Sequence, residues 1–132
     1  MPKSIWIVED DSDDRYLTQE TLAALNINVP VKFLSSSKEL FESLDSSQEP
    51  SLILIDYNIA PDNGLEVLKK LKQHEVHSKY PVVILSDSDL SRYKNECYRH
   101  GASSFIKKPN TLEGTHQKIG TFFKYWLEVA EA

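Results

Sequence analysis

A chain of 132 residues, 40% hydrophobic and 27% charged, is long enough to enclose one substantial core and too short for two domains of ordinary size, so a single domain over residues 1–132 is expected. Its 15 Lys and Arg against 20 Asp and Glu leave a net charge of −5, which argues against direct binding to DNA and against an anionic membrane surface, since both depend on clustered cations. The lone cysteine, Cys97, excludes an intrachain disulfide, no apolar run approaches the ~18 residues of a membrane span, and Met1–Ser4 lacks a signal peptide's apolar segment; a cytoplasmic protein is expected.

The first element in chain order is the continuous apolar run Ile5-Trp6-Ile7-Val8, followed by helical spacing over 12–25 with Tyr16, Leu17, Leu22 and Leu25. Val31–Leu34 alternates and follows Pro30, which suits an edge strand; 38–44 then carries Leu40, Phe41 and Leu44 at helical intervals. Leu52–Ile55 is a second continuous run, 64–72 a third helix bearing Leu65, Leu68 and Leu71, and Val82–Leu85 a third run. A helix over 90–100 stops at Gly101, Ser104–Ile106 is a last short strand, and 111–130 is a final helix. Continuous rather than alternating strands are covered on both faces, and strand–helix alternation throughout predicts a doubly wound parallel α/β sheet.

In such sheets the ligand crevice lies beyond the carboxyl ends of the strands. Four strand ends here deliver Glu9-Asp10-Asp11, Asp56-Tyr57-Asn58, Ser86-Asp87 and Lys107-Lys108 to one edge. Carboxylates gathered there repel one another by about 4 kcal/mol per pair at about 4 Å and an effective dielectric near 20, and a hard cation removes that cost. Mg²⁺ takes one or two protein carboxylates and keeps places for phosphate oxygens, so the pattern suggests phosphoryl transfer onto an aspartate, with a lysine and a hydroxyl holding the remaining oxygens.

These residues resemble the receiver domain of two-component response regulators, over nearly the whole chain. The matching pieces are Val8-Glu9-Asp10-Asp11, Ile55-Asp56-Tyr57-Asn58 with Asn63-Gly64-Leu65-Glu66, Ile84-Leu85-Ser86, and Gly101–Pro109. The resemblance implies a five-stranded sheet of order 2-1-3-4-5 with five helices. It implies Asp56 as phosphoacceptor for the phosphohistidine of a sensor histidine kinase or phosphotransfer protein. A Mg²⁺ site would be formed by Glu9, Asp10, Asp56 and the backbone carbonyl of Asn58. Ser86 and Lys108 would bind the phosphoryl group, Ser86 and Phe105 would form the switch, and the Lys108–Pro109 bond would be cis. Output would pass through a surface to a downstream protein partner.

The chain departs from the family pattern at Asp87, where a small residue is usual and where a carboxylate could repel a phosphoryl donor or screen the phosphoaspartate from water. Asn63 stands where aspartate is usual before Gly64, and Pro61 falls one residue late. Two other classes compete. An aspartate-nucleophile phosphatase would want a second carboxylate two residues after Asp56 and finds Asn58; a pseudo-receiver would keep the fold without being phosphorylated. His74 and His77, three apart, lack the further ligands of a metal site. The last helix carries Ile119, Phe122, Phe123, Trp126, Leu127, Val129 and Ala130 over nearly half its circumference, which suggests a homodimer surface around Phe122 and Trp126. Tyr125-Trp126-Leu127-Glu128 is similar to the end of single-domain regulators that pair with bacterial phytochrome kinases.

Overall fold

The computed structural model describes residues 4–26, 29–46, 48–59, 62–87, 91–108 and 112–125, with the backbone alone at 112–116 and 119. Five strands, β1 (Ile5–Val8), β2 (Val31–Leu34), β3 (Leu52–Asp56), β4 (Val82–Ser86) and β5 (Ser104–Lys107), alternate with five helices. These are α1 (Ser12–Ala24), α2 (Ser37–Asp45), α3 (Gly64–Gln73), α4 (Ser91–Arg99) and α5 (Leu112–Lys124). The strands are all parallel in the order β2-β1-β3-β4-β5, the expected order. A short 3₁₀ turn at His77–Lys79, absent from the sequence reading, carries the chain from α3 to β4.

Because side chains alternate across a strand, each central strand feeds two cores. Val8, Ile53, Ile55, Val82 and Ile84 face Leu40, Leu44, Val67, Leu68, Leu71 and Cys97 from α2, α3 and α4. Ile5, Ile7, Leu52, Leu54, Val83 and Leu85 face Leu22 of α1 and Phe123 of α5. Every residue of β1, β3 and β4 is buried, whereas the edge strands β2 and β5 are mostly half-buried. Each fully buried aliphatic side chain contributes about 1.5–3 kcal/mol, so the central strands are the rigid base on which the strand ends sit.

Helix starts are set by side-chain caps. Asp11 Oδ1 accepts the N–H groups of Asp13 and Asp14 at 2.8 and 3.0 Å, Ser36 Oγ that of Glu39 at 3.2 Å, and Asn63 Oδ1 that of Glu66 at 2.9 Å. Asn63 thus does what an aspartate does at the start of α3. Gly64 is required by close approach: a Cβ there would lie 2.8 Å from the Cα of Tyr57, and the Gly64 N–H donates to the Tyr57 carbonyl at 2.7 Å. That contact folds the loop after Asp56 back onto itself. At the end of α4, Gly101 takes φ +99, the helix stop read from sequence.

Candidate functional site

The site is assembled at the carboxyl edge of the sheet. β3 runs one residue further than the apolar pattern indicated and ends on Asp56; β4 likewise ends on Ser86. Both polar side chains are therefore fixed by strand pairing and buried, Asp56 at 6% and Ser86 at 1% exposure. Asp56 pairs in register with Leu85, and Ser86 with Lys107, which sets Lys108 just past the ladder. The Lys108 N–H donates to the Ser86 carbonyl at 2.7 Å.

Lys108 is the hub. Its Nζ donates to Glu9 Oε1 at 2.9 Å, Asp14 Oδ2 at 2.9 Å and Asp56 Oδ2 at 3.0 Å. Three N–H groups meet three carboxylates from the ends of β1 and β3 and from the first turn of α1. The other oxygens are also held: Asp56 Oδ1 accepts the Asn58 N–H at 3.1 Å, and Glu9 Oε2 the Asp11 N–H at 3.2 Å. The Glu9 carbonyl accepts Arg15 Nε at 2.6 Å, tying the strand end to α1. Desolvation opposes a charged Lys108, but bonds to Asp14, Glu9 and Asp56 outweigh it and raise the ammonium's pKa.

Glu9 moves the other way from an ordinary carboxylate. Burial, then its hydrogen bond with Asp56, push it up to about 8 against the opposing pull of Lys108. Without metal, burial therefore favours its protonated form. A folded pKa above the unfolded value of 4.5 means that the favourable contribution is complete below about pH 4.5 and is lost as pH rises through about 8. Glu9→Gln, which cannot ionise, is accordingly expected to match the parent near pH 4.5 and to exceed it by about 4 kcal/mol near pH 8 without metal. Chemical denaturation across that range checks this; a pH-independent difference contradicts it.

The sequence-predicted residues do not all converge. Glu9, Asp56 and Lys108 meet, with Ser86 on the adjacent strand end. Asp10 is exposed and outside the carboxylate group, whose members are Glu9, Asp14 and Asp56, with ligand atoms within 4.8 Å of one another. Asp14 lies in the first turn of α1, where an acidic residue also favours the helix dipole. Its place follows from the Asp11 cap, which starts α1 immediately after the strand end, and from the tilt of helical side chains toward the helix N-terminus. Asn58 is exposed and contributes its N–H to Asp56. Phe105 is half-buried against the α2–α4 core, and its N–H donates to Tyr98 Oη at 3.1 Å. Asp87 is exposed just beyond β4. Phe122 is partly buried, edge-on to Phe123 at 5.9 Å; Trp126 and the Lys108–Pro109 bond lie outside the described residues.

An all-oxygen donor set of three carboxylates, already neutralised in part by an ammonium, suits a hard divalent cation, so the residues present fit such an ion. The His74 and His77 rings instead stack at 3.9 Å and 14°, with His74 Nδ1 accepting the Val76 and His77 N–H groups. His77 Nε2 lies 3.3 Å from Asp45 Oδ1, which ties the stacked pair to the end of α2.

A doubly wound α/β sheet with a buried aspartate, a lysine and an acidic group at its carboxyl edge defines a phosphoryl-handling switch domain. Residues 5–120 match the response regulator receiver domain family, and the chain belongs to it, a receiver domain of two-component systems. Among relatives, the chain is 34% identical over 102 residues to the two-component response regulator ORR5 of Oryza sativa, covering 77% of this chain and 75% of that protein. It is 29% identical over 133 residues to the response regulator Rcp1 of Synechocystis, covering 96% and 90%. Among solved structures, the phosphorylated cyanobacterial phytochrome response regulator RcpA superposes with a TM-score of 0.91 at 28% identity, covering 99% of this chain and 98% of that one. The Mn(2+)-bound form of Rcp1 gives 0.88 at 27%, covering 98% of each. The family binds a divalent metal and works with histidine kinases and downstream partners.

Proposed function

We propose that this chain is a phosphorylation switch in which Asp56 accepts a phosphoryl group from the phosphohistidine of a sensor histidine kinase or phosphotransfer protein. An Asp56 carboxylate oxygen bonds to phosphorus as the phosphorus–nitrogen bond breaks, and the bonding pair stays on the imidazole nitrogen, which takes up a proton. Glu9, Asp10, Asp56 and the Asn58 carbonyl would hold Mg²⁺, which would supply positive charge to offset that of the transferring group. Lys108 and Ser86 bind its oxygens, and the added charge of about −1.5 to −2 biases Ser86 and Phe105 toward a second arrangement. The observation that carries this reading is the Lys108 ammonium bonded to Asp56 inside a carboxylate group.

The protein would signal through a surface rather than turn over a substrate, in the cytoplasm, without binding DNA. The extent of the match to RcpA supports a kinase of the phytochrome class as donor. Homodimerisation through Phe122 and Trp126 belongs to the same reading, with a mass in solution that rises with concentration; a concentration-independent monomer contradicts it.

Incubation with Mg²⁺ and acetyl phosphate, followed by intact-mass measurement, tests the function. One phosphoryl adduct that needs the metal supports the switch. No adduct makes the chain a pseudo-receiver, and rapid multiple turnover makes it a phosphatase. Asp87→Ala is expected to accelerate adduct formation about threefold, since a like charge beside the entry route costs a few tenths to one kcal/mol at an exposed site; equal rates in the two proteins remove that role.

A further inference from the structure

Lys108 has no spare donor. All three of its N–H groups are engaged by Glu9, Asp14 and Asp56 at 2.9–3.0 Å, so it cannot reach a phosphoryl oxygen without releasing a carboxylate. The three partners differ in what phosphorylation does to them. Asp56 loses its free carboxylate to the acyl phosphate, and Glu9 is taken up by the cation of the proposed site. Asp14 is neither the proposed acceptor nor among the residues proposed to hold Mg²⁺, so on that reading it keeps the same charge and the same free oxygens throughout. Its side chain is 39% exposed against 5% for Glu9 and 8% for Asp56, so it stands at the rim with Lys108 between it and the buried pair. Its backbone is fixed by the Asp11 cap, whose Oδ1 accepts the Asp14 N–H at 3.0 Å. The tether therefore has a rigid base and one charged bond.

We infer that Asp14 is a positioning residue for Lys108: it keeps one N–H of the ammonium in both states while the other two transfer from Asp56 and Glu9 to the phosphoryl oxygens. This rests on the reading of Asp56 as phosphoacceptor. The free ammonium of a lysine is a mobile point charge on four rotatable bonds, and one retained charged bond removes most of the search for the phosphoryl group.

Asp14→Asn is tested beside Asp14→Glu and the parent by three measurements: the Mg²⁺ dissociation constant, the rate of phosphorylation by acetyl phosphate at saturating Mg²⁺, and the ¹⁵N-ammonium NMR signal of Lys108. The expected result for Asp14→Asn is Mg²⁺ affinity within about twofold of the parent and phosphorylation about tenfold slower, the size of one charge-assisted hydrogen bond. The Lys108 ammonium signal broadens through exchange with water, and Asp14→Glu recovers most of the rate. A Mg²⁺ affinity weakened about tenfold, with the rate restored by excess metal, would make Asp14 a metal ligand and overturn the inference. An ammonium signal as sharp as in the parent, or an unchanged rate, overturns it as well. Failure of the parent itself to take up a phosphoryl group marks failure of the Asp56 reading instead, and the NMR signal still decides whether Asp14 holds Lys108.

Discussion

Replacing Asp56 with asparagine is expected to reduce phosphoryl uptake from acetyl phosphate or a phosphohistidine donor by more than about a thousandfold, because the amide has no anionic oxygen to form the new bond to phosphorus. The fold is expected to survive. Asparagine has nearly the same shape, its carbonyl oxygen can still accept the Asn58 N–H that now reaches Asp56 Oδ1, and it removes one charge from a group of three carboxylates. Stability without metal is therefore expected to stay level or rise by about 1 kcal/mol, so that lost uptake cannot be assigned to unfolding. Intact mass and a denaturation curve on the same sample check both parts. Retained uptake in a folded Asp56→Asn protein would place the acceptor elsewhere.

Lys108→Met has two expected effects of opposite electrostatic origin. Phosphorylation slows about a hundredfold, as when one fixed donor is removed from a developing oxyanion. The side chain is only 14% exposed, and its loss leaves Glu9, Asp14 and Asp56 facing one another without a cation, so stability in metal-free buffer falls by about 2 kcal/mol. Mg²⁺ reverses the second effect and not the first, and binds Lys108→Met more tightly than the parent, since it no longer competes with an ammonium for the same oxygens. Denaturation with and without Mg²⁺ separates the two; equal destabilisation under both conditions would mean that Lys108 acts through packing alone.

Most of the sheet was legible because burial on two faces leaves a clear mark. Ile5–Val8, Leu52–Ile55 and Val82–Leu85 are apolar at every position, and the structure buries each of them. The pattern stopped one residue short in two places, at Asp56 and Ser86, since a polar residue that ends a buried strand looks like the start of a loop. Those two are the residues to which the proposed function gives the phosphoryl group. The 3₁₀ turn at His77–Lys79 left no mark because three residues are too few for any periodicity.

The site was legible at the strand ends and not beyond them. Glu9, Asp56 and Lys108 follow apolar runs, so their placement comes with the sheet. Asp14 comes from a helix turn, and nothing in linear spacing separates it from Asp13, which points the same charge elsewhere on the same turn. The cap at Asp11 makes the difference: it sets the phase of α1, and the phase sends Asp14 to Lys108. Asp10 sits beside Glu9 in sequence, yet it is exposed while Glu9 is buried, a difference that the run of acidic residues does not reveal.

The position of the phosphoryl group tests the account most directly. Protein phosphorylated by acetyl phosphate in Mg²⁺ is reduced with borohydride, which converts a phosphoaspartate to homoserine, and its peptides are mapped by mass. The account predicts homoserine at position 56 alone, and none when the metal is removed by chelation. Homoserine at another aspartate, or labelling that persists without a divalent metal, would contradict it.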